Sequence, residues 1–230
     1  MARNRQRAVL GATALTASLA TVALTALPAS AATTTVRKGT ATAAAYSGNV
    51  RATLLGTASV TTSLGGGSCN RATLNGTIQS NGTGLNVSAA AIYNDPGPAC
   101  PGGGGTVTVT TQGLPWTGGS VVYDAAHTGG RDAAVTIAGF KVKAVASILG
   151  GITCYYGGNL TANGYNPDNP GRPDPSVAQA QVGVNNAVVN RQSGGSFLCP
   201  ATANVTVAYA LQGETTAGSG TFNQKLYVTS

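Results

Sequence analysis

Charge is scarce in this sequence. Lys and Arg total 13, Asp and Glu total 6, and there is one histidine in 230 residues. So few carboxylates give little scope for the paired acids of a glycosidase. The lone His127 leaves a single candidate for the usual general base. No Cys-x-x-Cys pair or clustered histidine supplies the spacing of a zinc site, and no Gly-x-Ser-x-Gly elbow is present. Aromatic residues make up only 5% of the chain, with Trp116 the sole tryptophan. Nowhere after the first thirty residues does an apolar run reach the length of a membrane span, and no 3.6-residue apolar stripe marks a helix.

The first segment is an exception to the scarcity of charge. "MARNRQR" places Arg3, Arg5 and Arg7 ahead of the apolar "AVLGATALTASLATVALTAL", and "PASA" sets Ala29 and Ala31 in an A-x-A cleavage pattern. That is the layout of a secretory signal peptide over residues 1–31, leaving 32–230 as the exported domain. Removing the leader arginines lowers the formal charge from +7 to about +4. The remaining bases are scattered, so the chain points to no nucleic-acid partner and to no membrane insertion after cleavage. It is expected in the extracellular medium or at the cell wall.

What the chain has in abundance is Gly, Ala, Thr, Val and Asn. Thr and Val favour strands, and Gly, Asn and Pro punctuate turns. Many short alternating segments separated by such turns predict a β-sandwich or barrel. "NVRATLL" and "TASVTTSL", separated by Gly56, predict a hairpin. "GGGS" reads as a break before Cys69, and "NDPGPACPGGGG" as a loop. "SNGTG" predicts a hairpin turn between "TLNGTIQ" and "GLNVSAAAIY". In "AAVTIAGFKVKAVASI" the apolar set changes parity between Ile137 and Phe140, which predicts a β-bulge at Ala138-Gly139. Lys141 and Lys143 then face solvent. "FNQKLYVTS" reads as one closing strand.

Cys69, Cys100, Cys154 and Cys199 form an even set, as expected where oxidation is the default. Four cysteines allow three pairings. "ACPGGGGTVTVTTQGL" and "LCPATANVTVAYALQG" nearly repeat one another, each following a cysteine and two strands. One bridge per half, Cys69–Cys100 and Cys154–Cys199, is the parsimonious choice, with the crossed pairings still open. The expected fold is therefore an all-β, disulfide-bonded antiparallel β-sandwich, with two related halves as its possible internal organisation.

Candidate chemistry is sparse. His127 lies in "YDAAHTGGRDAA" beside Asp124, Arg131 and Asp132, which reads either as a hydrolase centre or as a solvated polar loop. Asn166, Asp168, Asn169 and Asp174 carry oxygens that suit calcium, but their proline spacing reads as a rigid turn. No cofactor and no metal is called for. Trp116 in "GLPWTGGS" is either a core plug or an exposed anchor of the kind enriched in binding hot spots. Tyr155 and Tyr156 point to opposite faces of a strand.

A leader ending A-x-A, "SC", a Gly-Thr-rich strand, "LPW", "CYYGGNL" and a late "CP" before "VTVAYAL" together resemble a group of small secreted actinomycete proteins with no assigned activity. That resemblance implies an exported β-sandwich and carries over no catalytic residue. In composition alone the chain is also similar to the neocarzinostatin-type chromophore carriers.

The function expected is a non-enzymatic secreted binding or adaptor module, with a protein or a cell-wall glycan as partner. Trp116, Tyr155 and Tyr156 are its candidate binding residues. The alternatives are a hydrolase using His127, and a protease inhibitor presenting the Pro-rich loop at 165–175. Residues 33–46 are expected to form an edge strand of their own sheet, or an arm donated to a partner's sheet.

Overall fold

The computed structural model describes residues 33–230; the signal-peptide assignment at 1–31 lies outside them. Fourteen strands follow in chain order: β1 (Thr35–Lys38), β2 (Gly48–Thr62), β3 (Gly65–Cys69), β4 (Arg71–Ile78), β5 (Leu85–Tyr93), β6 (Cys100–Gly102), β7 (Gly105–Thr111), β8 (Trp116–Tyr123), β9 (Ala133–Ala146), β10 (Ile152–Tyr165), β11 (Ala180–Arg191), β12 (Thr202–Glu214), β13 (Phe222–Gln224) and β14 (Leu226–Thr229). Every pairing is antiparallel. The fold is thus an all-β, disulfide-bonded antiparallel assembly with the sandwich-like layering expected of the sequence. Among the described residues no helix is long and apolar enough to cross a membrane.

The layers are continuous at both sides. β2, β4, β5, β8, β9, β10, β11 and β12 pair in that order, and β12 returns to β2. Such a closed sheet has no free edge along the ring, which removes the usual site of edge-to-edge association. Toward the Thr62 end of β2 the ring takes a second route. There β3, β6 and β7 run between β2 and β9 in place of β4, β5 and β8. β2 and β9 belong to both routes, so both are long.

Each of these long strands bends at a glycine. Residues 138–139 of β9 stand opposite Asn159 alone, with Gly139 at φ 71°. The extra residue restores Val135, Ile137, Phe140 and Val142 to one cluster, as the parity change required. Lys141 is exposed and Lys143 half-buried. In β2, residues 56–58 oppose Val207 alone, and Gly56 has φ 67°. The hairpin expected at Gly56 is therefore a bulge within one 15-residue strand. A single residue is too short to reverse a chain, whereas a left-handed glycine suffices to kink it.

"GGGS" is likewise a strand and not a break. Gly65–Cys69 pairs with β2 along its whole length, and Gly67 also pairs with Gly102 of β6 inside the expected "NDPGPACPGGGG" loop. A Cβ on Gly102 would lie 2.2 Å from the Gly66 carbonyl oxygen, and one on Gly66 would lie 2.6 Å from that of Val60. The glycines are there because backbones approach too closely for any side chain. The disulfides pin the same end: Cys69–Cys100 ties β3 to β6, and Cys154–Cys199 ties β10 to the segment before β12. They span 31 and 45 residues, and the chain-entropy account gives each about 3–4 kcal/mol.

The likeness between the halves covers Cys–strand–strand–Cys-Pro–strand and stops at the third strand. β12 pairs with β11 beside it, while β7 crosses to β9. "FNQKLYVTS" also divides, at Lys225. β13 extends the barrel from β12, whereas β14 pairs with β1 as a separate two-stranded sheet.

That small sheet closes one end of the barrel. Val36, Tyr46, Leu226 and Val228 are buried, and all but Val228 form a cluster with Ile78 and Ala180. The N-terminal segment is thus an integral strand. Tyr46 accepts a hydrogen bond from the Glu214 amide at 2.8 Å and donates to the Asn49 carbonyl. The Glu214 carboxylate accepts from Asn49 Nδ2 at 2.8 Å and from the Gly218 and Gly220 amides, which hold it below the usual carboxylate range.

Deleting residues 32–46 removes this plug, and the melting temperature is expected to fall by roughly 10 °C through loss of sheet pairing and apolar burial together. Circular dichroism checks it; an unchanged melting temperature contradicts an integral role. Gly102→Ala is expected to cost about 2 kcal/mol or more, because backbone must move to admit the methyl group. Urea unfolding of the variant measures this.

Candidate functional site

The interior of the closed sheet follows from strand alternation, since every second residue of each strand points inward. Two cavities run along this interior. The larger, of about 220 Å³, lies toward the Thr62 end and is lined by Val60, Val107, Val142, Ile152, Leu160, Val205 and Val207 among others. The smaller, of about 140 Å³, lies behind the β1–β14 plug, against Val36, Leu226 and Val228. Tyr209 lines both.

Trp116 is a buried core residue and also a wall of the larger cavity. Its indole Nε1 donates to the Gln112 carbonyl at 2.8 Å, and its ring meets Phe140 edge-on at 5.1 Å. Tyr156 faces the same cavity and donates to the Pro200 carbonyl at 3.2 Å, and burial pushes its phenol up. Tyr155, on the outer face, is half-buried opposite Lys143. The structure therefore brings Trp116 and Tyr156 together on one apolar wall and leaves Tyr155 outside it.

The larger cavity reaches the surface at the end away from the plug. The connections 63–64, 103–104, 147–151 and 192–201 all lie at that end. They carry most of the exposed large apolar side chains: Leu64, Leu149 at 80% exposure, Phe197 at 89%, and Leu198. Leu64, Gly65, Gly66, Gly67, Gly103 and Ile148 line the opening itself. By contrast Asp124, Asp132, Asp168, Asp174 and Glu214 all fall in the connections and strand ends near the plug. Only Asp95, beside Arg71 at 3.6 Å, lies elsewhere. The mouth is thus apolar and carries no carboxylate, a composition suited to admitting an apolar guest.

The remaining candidates sit outside both cavities. His127 Nδ1 lies 3.2 Å from Asp132 Oδ1 and 3.2 Å from the Arg131 carbonyl, on the outside of the plugged end. The second Asp132 oxygen accepts from the Asn166 amide at 2.7 Å and Asn169 Nδ2 at 2.8 Å. Arg131 Nε donates to Asp124 Oδ2 at 2.7 Å. The cluster therefore ties the 124–132 loop to the loop at 165–175. That Pro-rich loop is bonded down along its length. Asn166 exchanges two hydrogen bonds with Val228, Tyr227 donates to Asp168, Asp174 Oδ1 accepts from Ser176, and Arg172 donates to two backbone carbonyls. Burial first, and Asp168 second, push the Tyr227 phenol up to about 12. The oxygens considered for calcium each hold part of this loop instead of converging, and among the described residues no group of three acidic, His or Cys side chains is placed to hold a metal ion.

The hydrogen bond from Arg131, with help from Thr128, holds the Asp124 carboxyl below its ordinary value of 3.8. A depressed folded value stabilises the fold above the unfolded pKa, and the gain disappears as pH falls through the folded one. Asp124→Asn is thus expected to melt below the wild type at pH 7, with the gap closing as pH falls below 3.8. A gap of equal size at every pH would mean that the side chain acts by shape alone.

No family model matches the chain, and comparison with curated proteins and with solved structures returned no similar protein.

Proposed function

We propose that this chain is a non-enzymatic secreted binding module whose ligand is a small apolar molecule held inside the closed sheet. The observation that carries the reading is the larger cavity, about 220 Å³ of apolar interior opening through an apolar mouth. An eight-stranded barrel has an interior wide enough either to be filled by side chains or to hold one small ligand. Here about half of the lining residues are Val, Ala or Gly, which leave space that larger side chains would fill. An apolar cavity of about 150 Å³ is enough to bind benzene, so this one suits a ligand of about ten carbons. The two disulfides support an oxidising compartment, as an exported module requires. They also fasten β3, β6 and the 192–201 segment around the mouth, so the opening is held in shape before a ligand arrives. Preformed sites of this kind lose little ordering entropy on binding.

Trp116 is the only tryptophan and stands in the wall, so its fluorescence reports occupancy directly. Titration with a cyclic ten-carbon hydrocarbon is expected to give a saturable one-to-one change and a raised melting temperature. Val207→Phe or Ala144→Leu, each filling the cavity from a different strand, is expected to weaken binding at least tenfold while leaving the far-UV spectrum intact. A fluorescence change that never saturates, or that survives in both filled variants, overturns the reading.

A further inference from the structure

Four polar side chains besides Tyr209 line the larger cavity, and each is already bonded to the backbone. Ser59 donates to the Thr206 carbonyl, Thr62 to Gly65, Trp116 to Gln112 and Tyr156 to Pro200. Tyr209 differs: its hydroxyl has no hydrogen-bond partner among the described residues, and the half-buried side chain stands where the two cavities meet. Burial pushes its phenol up, and no neighbouring charge or hydrogen bond contributes. The residue is half-buried and its oxygen is not sealed by protein but opens onto the cavity, where the apolar lining offers it no partner. Native interiors leave few polar groups unpaired in such surroundings. Phe at this position would fill the same space without that penalty. The oxygen is therefore the feature to explain.

We propose that Tyr209 is the polar anchor of the cavity and donates a hydrogen bond to a single acceptor oxygen, such as a carbonyl, on an otherwise apolar ligand. This rests on the cavity being the binding site and adds the chemical class of what enters it. The geometry favours a neutral acceptor over a carboxylate. No Lys or Arg lines either cavity, so an anion would be buried without a counter-charge. It also fixes orientation. Tyr209 pairs with Leu54 and Val182 along the middle of the barrel, well inside the mouth formed by the 63–64 and 103–104 turns. The oxygen-bearing end of the ligand enters first, and the apolar end lies against Trp116, Val107 and the rim.

Acetophenone and α-methylstyrene have nearly the same shape and differ in C=O against C=CH2, so they separate the anchor from the cavity. By calorimetry on the whole protein, Tyr209→Phe is expected to weaken acetophenone binding by about fivefold to tenfold, the usual worth of one hydrogen bond. Binding of α-methylstyrene is expected to change less than twofold. In the wild type the bound ketone's carbonyl stretch is expected at lower frequency than in an alkane, returning to the alkane value in Tyr209→Phe. Equal losses for both ligands, or an unshifted carbonyl in the wild type, overturn the anchor while leaving the cavity reading intact. If the wild type binds neither compound, the cavity reading falls and the anchor with it.

Discussion

The closure of the sheet rests on β2 and β9, the two strands that belong to both rings. Each keeps one neighbour along its length, β12 or β10, while its other edge changes partner between plug and mouth, so each must bend partway along. The bulges at Gly56 and Gly139, on the edges facing β12 and β10, supply that bend, since both residues occupy left-handed backbone that a side chain disfavours. Nothing lies within 4 Å of a Cβ placed on either. The constraint there is conformational and not steric. At the mouth the reverse holds, because Gly66 and Gly102 lie where backbone atoms of the next strand leave no space. Glycine thus serves two different purposes in one barrel.

The two ends of the barrel divide the chemistry between them. At the plug, carboxylates and amides are spent on fastening loops. Glu214 binds the 218–220 turn, Asp132 binds the 165–175 loop, and Asp124 binds Arg131. Gln181, fully buried, donates to the carbonyls of Asp174 and Val177. At the mouth the fastening is covalent, through Cys69–Cys100 and Cys154–Cys199. A polar network near the opening would offer a guest competing donors and acceptors. Disulfides hold the rim without them, so the interior stays apolar down to Tyr209.

Period-two alternation was legible throughout, and it identified most of the strands and the bulge at Gly139. It could not reveal closure, because pairing of β12 with β2 joins residues some 150 positions apart and leaves no local trace. The glycine runs misled for a related reason. "GGGS" is a break by local propensity, and only the crowding of three backbones makes it a strand. Trp116 illustrates a limit of a different kind. The alternatives of core plug and binding residue are not exclusive in a hollow barrel, where one ring can be both buried and a wall of the cavity. His127 and the Pro-rich loop attracted notice because they hold the scarce polar residues, yet those residues are occupied with one another.

A hollow interior has a cost that the rest of the structure must offset. Each side chain lining the cavities forgoes contacts that a filled core would supply, and a void is worth about 1 kcal/mol for every missing methyl-sized volume. The fold meets that deficit outside the cavity, with a ring that has no open seam, a sheet that plugs one end and two cross-links at the other. Filling the space with Leu and Phe would be the simpler route to the same stability. That half of the positions lining the larger cavity instead carry Val, Ala or Gly, beside one unbonded tyrosine hydroxyl, is consistent with an interior shaped for a guest.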